Sequence, residues 1–190
     1  MWGAHFATEK SITPLASMFA KRTSEALPEL VQLASGAPRT PSNSTSSVVP
    51  HVLIQAIQAA TLLATYYFAH DRTIEGSYQA NTASALAISA GLHRMAAPRY
   101  TSGNAYTDRA DCSNGTAAQI PPARDDLEWA ERLLTFWNVY VLEGTWCVID
   151  GFPSGRWNGR ELRTRITAPW PKDLEVYGVR KRSISPYSTK

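Results

Sequence analysis

Four stretches of the chain repeat apolar residues at intervals of three and four, the spacing that gathers side chains on one face of an α-helix. The first opens at Thr13-Pro14 and carries Leu15, Phe19, Ala26, Leu27, Leu30 and Leu33. Pro28 inside it predicts a kink or an end there, because proline cannot donate to the helical ladder. The second begins at Pro50, a residue suited to a first helical turn, and places Leu53, Ile54, Ile57, Ala60, Thr61, Ala64, Tyr67 and Phe68 on one face. A polar corner, Ala69-His70-Asp71-Arg72-Thr73, separates it from a third helix expected over 74–90. There Tyr78, Ala83, Leu86 and Ile88 are read as the packing side, and Gly91 as the left-handed terminus. The two together predict an antiparallel αα-hairpin.

The fourth stretch has the clearest face: Leu127, Ala130, Leu134, Trp137, Val141, Gly144 and Val148, widened by Leu133, Phe136 and Tyr140. Acidic residues after Arg124 favour its start and Gly151-Phe152-Pro153 its end. Ser, Thr, Pro and Gly dominate 35–47, and 96–122 has no period, so the latter is read as a disordered insertion. No segment alternates strictly between apolar and polar, which predicts an all-α, multi-helix bundle with long irregular loops. Three regions follow: a helical segment and Ser/Pro loop at 1–49, a helical region at 50–177, and a basic tail at 178–190.

Composition narrows the picture. At 190 residues with 44% hydrophobic and 18% charged side chains, the chain has the make-up of one globular domain. The apolar run over 52–68 is broken by glutamines and threonines and is too short to cross a bilayer, so no membrane role is expected. Cys112 and Cys147, its two cysteines, can build neither a disulfide framework nor a four-thiolate zinc site. Met1-Trp2-Gly3-Ala4-His5 lacks the pattern of a leader peptide, and an intracellular protein is the expectation. The net charge of +3 is unevenly spread: nine basic residues against three acidic ones follow Phe152, and acids outnumber bases before it.

Candidate chemistry is sparse. His70-Asp71 is the dipeptide at the heart of metal-dependent phosphohydrolases, but His5, His51 and His93 lie in unrelated contexts, so a helix-ending corner is the simpler reading. Cys147 reads as a small core residue, and no phosphate loop or nucleophile elbow occurs. Trp129, Phe136, Trp137, Tyr140 and Trp146 at helical spacing are read as core before ligand pocket. Ala64, Tyr67, Gly76, Tyr78 and Ala85 echo a tetratricopeptide hairpin, which makes an interaction scaffold without DNA the alternative function; such scaffolds need about three repeats, and one is present.

Two blocks of sequence are more specific. Leu62 to Phe68, Arg72, Ile74-Glu75-Gly76-Ser77-Tyr78, Ala83 to Ala90 and Gly91-Leu92-His93-Arg94 form the first. Pro121-Pro122, Arg124-Asp125, Glu131-Arg132, Phe136-Trp137, Tyr140-Val141-Leu142, Ile166 and Pro169-Trp170-Pro171 form the second. In this order they resemble the fungal-specific transcription factor domain, the middle homology region of binuclear zinc-cluster regulators. The resemblance implies an all-helical regulatory region in a nuclear transcription regulator, not an enzyme. DNA contact in that family belongs to an N-terminal cluster of six cysteines holding two zinc ions, which these residues lack. No catalytic, cofactor or metal residue carries over, and a fragment or truncated paralogue is the expectation. The signature positions Arg72, Glu75, Gly76, Tyr78, Gly91, His93, Arg94, Trp137 and Trp170 are read as structural: Arg72 and Glu75 pairing or capping at the corner, Gly76 allowing close approach, His93-Arg94 placing positive charge at a helix C-terminus. A homodimer, transcription co-regulators and a small-molecule effector are the expected partners.

Overall fold

The computed structural model describes residues 15–34, 50–95, 120–121, 123–151, 156–157 and 164–172. Four α-helices occur among them, α1 (Leu15–Ala34), α2 (Pro50–Phe68), α3 (Thr73–Ser89) and α4 (Asp126–Asp150), with a 3₁₀ turn at Leu92–Arg94 and no strand. The fold is an all-α bundle whose centre is the predicted αα-hairpin. The Ser/Pro loop before residue 50, nearly all of the insertion expected at 96–122, and the basic tail lie outside the described residues.

The hairpin turns on a tight corner. Arg72 N–H donates to Tyr67 O at 2.9 Å and Asp71 N–H to Phe68 O at 3.2 Å, the paired bonds that close a helix through a left-handed residue. Asp71 occupies that position with φ of 58°, and Gly91 and Gly151 do the same after α3 and α4, at 73° and 71°. Across the hairpin α2 presents bulk and α3 presents small residues: Gly76, Ala80, Ala83, Ser84 and Ala87 are buried against α2 and α4. Tyr78, expected on the packing side, lies off this stripe and is 67% exposed. The helix meets its neighbours through its smallest side chains, so its aromatic residue is left to solvent.

Helix α4 runs parallel to α2 and antiparallel to α3. Gln58 on α2 donates to Glu131 Oε1 at 3.2 Å and Thr135 Oγ1 at 3.0 Å, and one helical stretch further along Phe68 stacks on Trp146 with ring centroids 3.7 Å apart. Ser84 reaches Glu143 from α3. The buried residues of α4 are Ala130, Arg132, Leu133, Thr135, Phe136, Trp137 and Val139, which corrects the predicted face. Leu127, Val141 and Val148 are exposed, Val148 to 82%. These three and Leu134 recur every seven residues, whereas a straight helix turns once per 3.6, so a strict heptad drifts by about 20° per repeat away from any fixed neighbour.

Helix α1 also differs from expectation. It continues through Pro28 to Ala34, with Pro28 on the exposed side, where water can satisfy the carbonyl left unpaired by the missing N–H. Its buried residues are Ala16, Ala20 and Leu27, with Leu30 and Val31 half-buried, and not Leu15, Phe19, Ala26 and Leu33. Small residues face α2 where Tyr66 and Tyr67 supply the volume. Cys147 is half-buried at the edge of α4 and is not a core residue. Among the described residues no helix is long and apolar enough to cross a membrane.

The start of α4 is fixed by charge. Asp125 Oδ1 accepts from Glu128 N–H at 2.7 Å, Glu128 Oε2 accepts from Arg124 N–H at 2.8 Å, and Glu128 Oε1 takes Arg132 Nη2 at 2.6 Å. The Arg124 amide first, then Arg132, hold the Glu128 carboxyl below the usual glutamate range.

Two predictions follow from these contacts. A Cβ added at Gly76 would stand 2.5 Å from the Phe68 ring, itself clamped by Trp146, so Gly76→Ala is expected to cost about 1–3 kcal/mol of stability, read as a lowered thermal midpoint. Because the folded-state pKa of Glu128 is depressed, its contribution is full above about pH 4.3 and disappears as pH falls through the folded value. Denaturant titrations of the native chain and Glu128→Gln should therefore differ at pH 7 and converge toward pH 2; a constant gap across that range would refute the coupling.

Candidate functional site

The signature positions gather at the two ends of α3. At its start, Arg72 Nε and Nη2 both donate to Glu75 Oε1, at 3.1 Å and 2.7 Å, and the guanidinium carbon lies 4.6 Å from the centre of the Tyr67 ring. The expected pairing is present, while Arg72 makes no side-chain capping bond. The hydrogen bond to Glu75 raises the Arg72 pKa above its ordinary value, and the same bond holds the Glu75 carboxyl below its own. Gly76 follows, with the close approach to Phe68 already described. Sequence reasoning could find this corner because every partner lies within nine residues.

The corner opens onto a groove of about 600 Å³ between it and the N-terminal half of α1. Tyr66, Tyr67 and Arg72 form one wall, and Ser17, Met18 and Lys21 contribute to the other. Tyr66 and Tyr67 are buried, while Lys21 and Glu25 are exposed and pair loosely at 3.9 Å. His70 turns back on its own helix, with Nδ1 2.7 Å from Tyr66 O and its ring 4.1 Å from that of Tyr66. Among the described residues no group of three or more His, Cys, Asp or Glu side chains is placed to hold a metal ion. His70-Asp71 lies in the turn that follows α2, with Asp71 in the left-handed position.

At the other end of α3, Gly91 turns the chain into the 3₁₀ segment and buries His93, leaving Arg94 exposed. The His93 ring lies in the interior, 6.1 Å from Trp157, and Arg94 stands beside it at the helix end. The His93 carbonyl accepts the amides of Thr167 and Ala168, at 2.9 Å and 3.1 Å. The segment so anchored continues to Pro169, whose carbonyl accepts Trp137 Nε1–H at 2.8 Å, and to Trp170, which stacks on Trp137 at 4.1 Å and 13°. Trp170 keeps its outer face in solvent and is 71% exposed.

A third constellation was not legible beforehand. Glu143 Oε2 accepts Ser84 Oγ–H at 2.5 Å and Trp157 Nε1–H at 2.7 Å, and Arg156 Nη2 reaches Asn81 Oδ1 at 2.8 Å. The one signal in the sequence is an acid standing alone in the apolar run Tyr140-Val141-Leu142-Glu143. A carboxylate there needs donors, and Ser84 lies 59 positions away, beyond any local pattern. The aromatic residues of α4 divide as core: Phe136 and Trp137 are buried, Trp129 and Tyr140 are half-buried against the same cluster, and Trp146 is half-buried against Phe68.

No family model matches the chain, and neither a curated protein nor a solved structure matches it.

The tryptophan fastening can be measured directly. Trp137→Phe keeps an aromatic ring but loses the bond to Pro169, at an expected cost of about 1 kcal/mol. Limited proteolysis should then cut within 164–172 faster than in the native chain, and an unchanged cleavage rate would show that the indole does not hold this segment.

Proposed function

We propose that these residues form the regulatory helical region of a fungal zinc-cluster-type transcription regulator and act in the nucleus. What carries the reading is the meeting of the two blocks that resemble the fungal-specific transcription factor domain. The end of the first block, at His93, hydrogen-bonds the backbone of the last part of the second, at Thr167 and Ala168. Two further members of the second block, Trp137 and Trp170, stack beside that junction.

In this reading the bundle is a receiver and transmitter, not a catalyst. DNA contact and zinc belong to the family's six-cysteine cluster, which the 190 residues do not contain. The bundle's own part is to contact a second copy or transcription co-regulators and to change that contact when an effector binds. Regulation of that kind requires two arrangements that an effector stabilises unequally.

The test is a tethering experiment. Fused to a heterologous DNA-binding domain in a fungal cell, the chain should change transcription of a reporter severalfold relative to the DNA-binding domain alone. Gly76→Leu, which blocks the close approach to Phe68, should abolish the change. Equal reporter output with and without the native chain, at equal nuclear abundance, would overturn the proposal in favour of a scaffold unconnected with DNA.

A further inference from the structure

We infer that the groove between α1 and the α2–α3 corner is a binding site for a small organic carboxylate with an apolar body, and that Glu75 holds the place of the ligand's carboxylate on Arg72. The volume, about 600 Å³, lies within the roughly 300–1,000 Å³ typical of small-molecule sites. The lining divides by chemistry. Met18, over a third exposed, offers apolar surface beside the buried Ala20, Tyr66 and Tyr67, and Lys21, Ser24 and Arg72 offer donors. Each cation of the lining has an acid beside it, Glu25 at Lys21 and Glu75 at Arg72, so an incoming carboxylate must take the place of one of these acids.

Arg72 is prepared for a planar anion. Its guanidinium carbon lies 4.6 Å from the centre of the Tyr67 ring, and it presents Nε and Nη2 together to a carboxylate, the fork geometry that suits this group best. In the structure that carboxylate is Glu75, and both donors converge on one of its oxygens. The pair is about half exposed on both sides, and exposed ion pairs contribute little to stability. Exchanging Glu75 for a ligand carboxylate therefore sacrifices little, and the ligand's apolar body adds contact with Met18. The Lys21–Glu25 pair, longer at 3.9 Å and still more exposed, leaves the Lys21 ammonium able to follow the anion.

The site goes beyond the regulatory reading and stands without it: binding is measured on the purified chain, regulation on the tethered reporter. The probe is phenylacetate, with phenylacetamide as its uncharged counterpart and inorganic phosphate as an anion without an apolar body, each titrated into the full chain by calorimetry or amide chemical shifts. Phenylacetate should saturate at about millimolar concentration with shifts confined to α1 and the corner, and the amide and phosphate should bind roughly tenfold more weakly. Arg72→Gln should weaken phenylacetate by about tenfold, Arg72→Lys by several-fold because the charge remains and the fork is lost, and Glu75→Gln should tighten it by removing the competitor. Circular dichroism of each variant separates loss of the site from loss of the fold. Equal binding of acid and amide, binding indifferent to Arg72, or no saturation by any probe would each overturn the assignment.

Discussion

The bundle depends on how closely α3 can lie against the end of α2, and that distance is set at Gly76. With no side chain there, the Phe68 ring occupies the space a Cβ would need. Phe68 in turn stacks on Trp146, and Ala64 and Ala80 complete the same cluster, so the geometry of one glycine is passed to a helix residue seventy positions further on. Bulk on α2 is met by absence of bulk on α3, and dense packing then leaves little room for either helix to rotate. The small-residue stripe of α3 is the mould into which the larger side chains of its neighbours are pressed.

Polar groups fix the register that apolar packing alone leaves degenerate. Gln58 meets Glu131 and Thr135, and Ser84 and Trp157 meet Glu143. A sliding of α4 by one turn would bury these groups without partners, at a cost of about 1–3 kcal/mol for each. The backbone bonds from His93 to Thr167 and Ala168, with the indole of Trp137 on Pro169, carry the same logic to the segment that follows α4. Hydrophobic contact gathers the helices; hydrogen bonds choose among the ways of gathering them.

The elements were legible in the sequence because their period is local, and α2 and the hairpin corner were legible in detail. Arg72 and Glu75 are three residues apart and found each other without help from the rest of the chain. Faces were less legible. In α4 the apolar ladder at seven-residue intervals concealed the buried stripe through Leu133, Phe136 and Trp137, since side chains alone do not say which of two overlapping stripes a neighbour will cover. In α1 and α3 the buried side is made largely of alanine and glycine, which a reading keyed to large apolar residues passes over in favour of Phe19 or Tyr78. The groove escaped notice because its two walls come from segments some fifty residues apart, joined by packing and not by any sequence pattern.

The ordering of the helices has one more consequence. The 3₁₀ turn after α3 packs against α4, and Met95 and Ile120, which flank residues 96–119, both lean on the same core. Loop-closure entropy rises by only about 0.6 kcal/mol for each doubling of a loop's length. A peptide tag inserted between these two anchors is therefore expected to leave the four helices in their places.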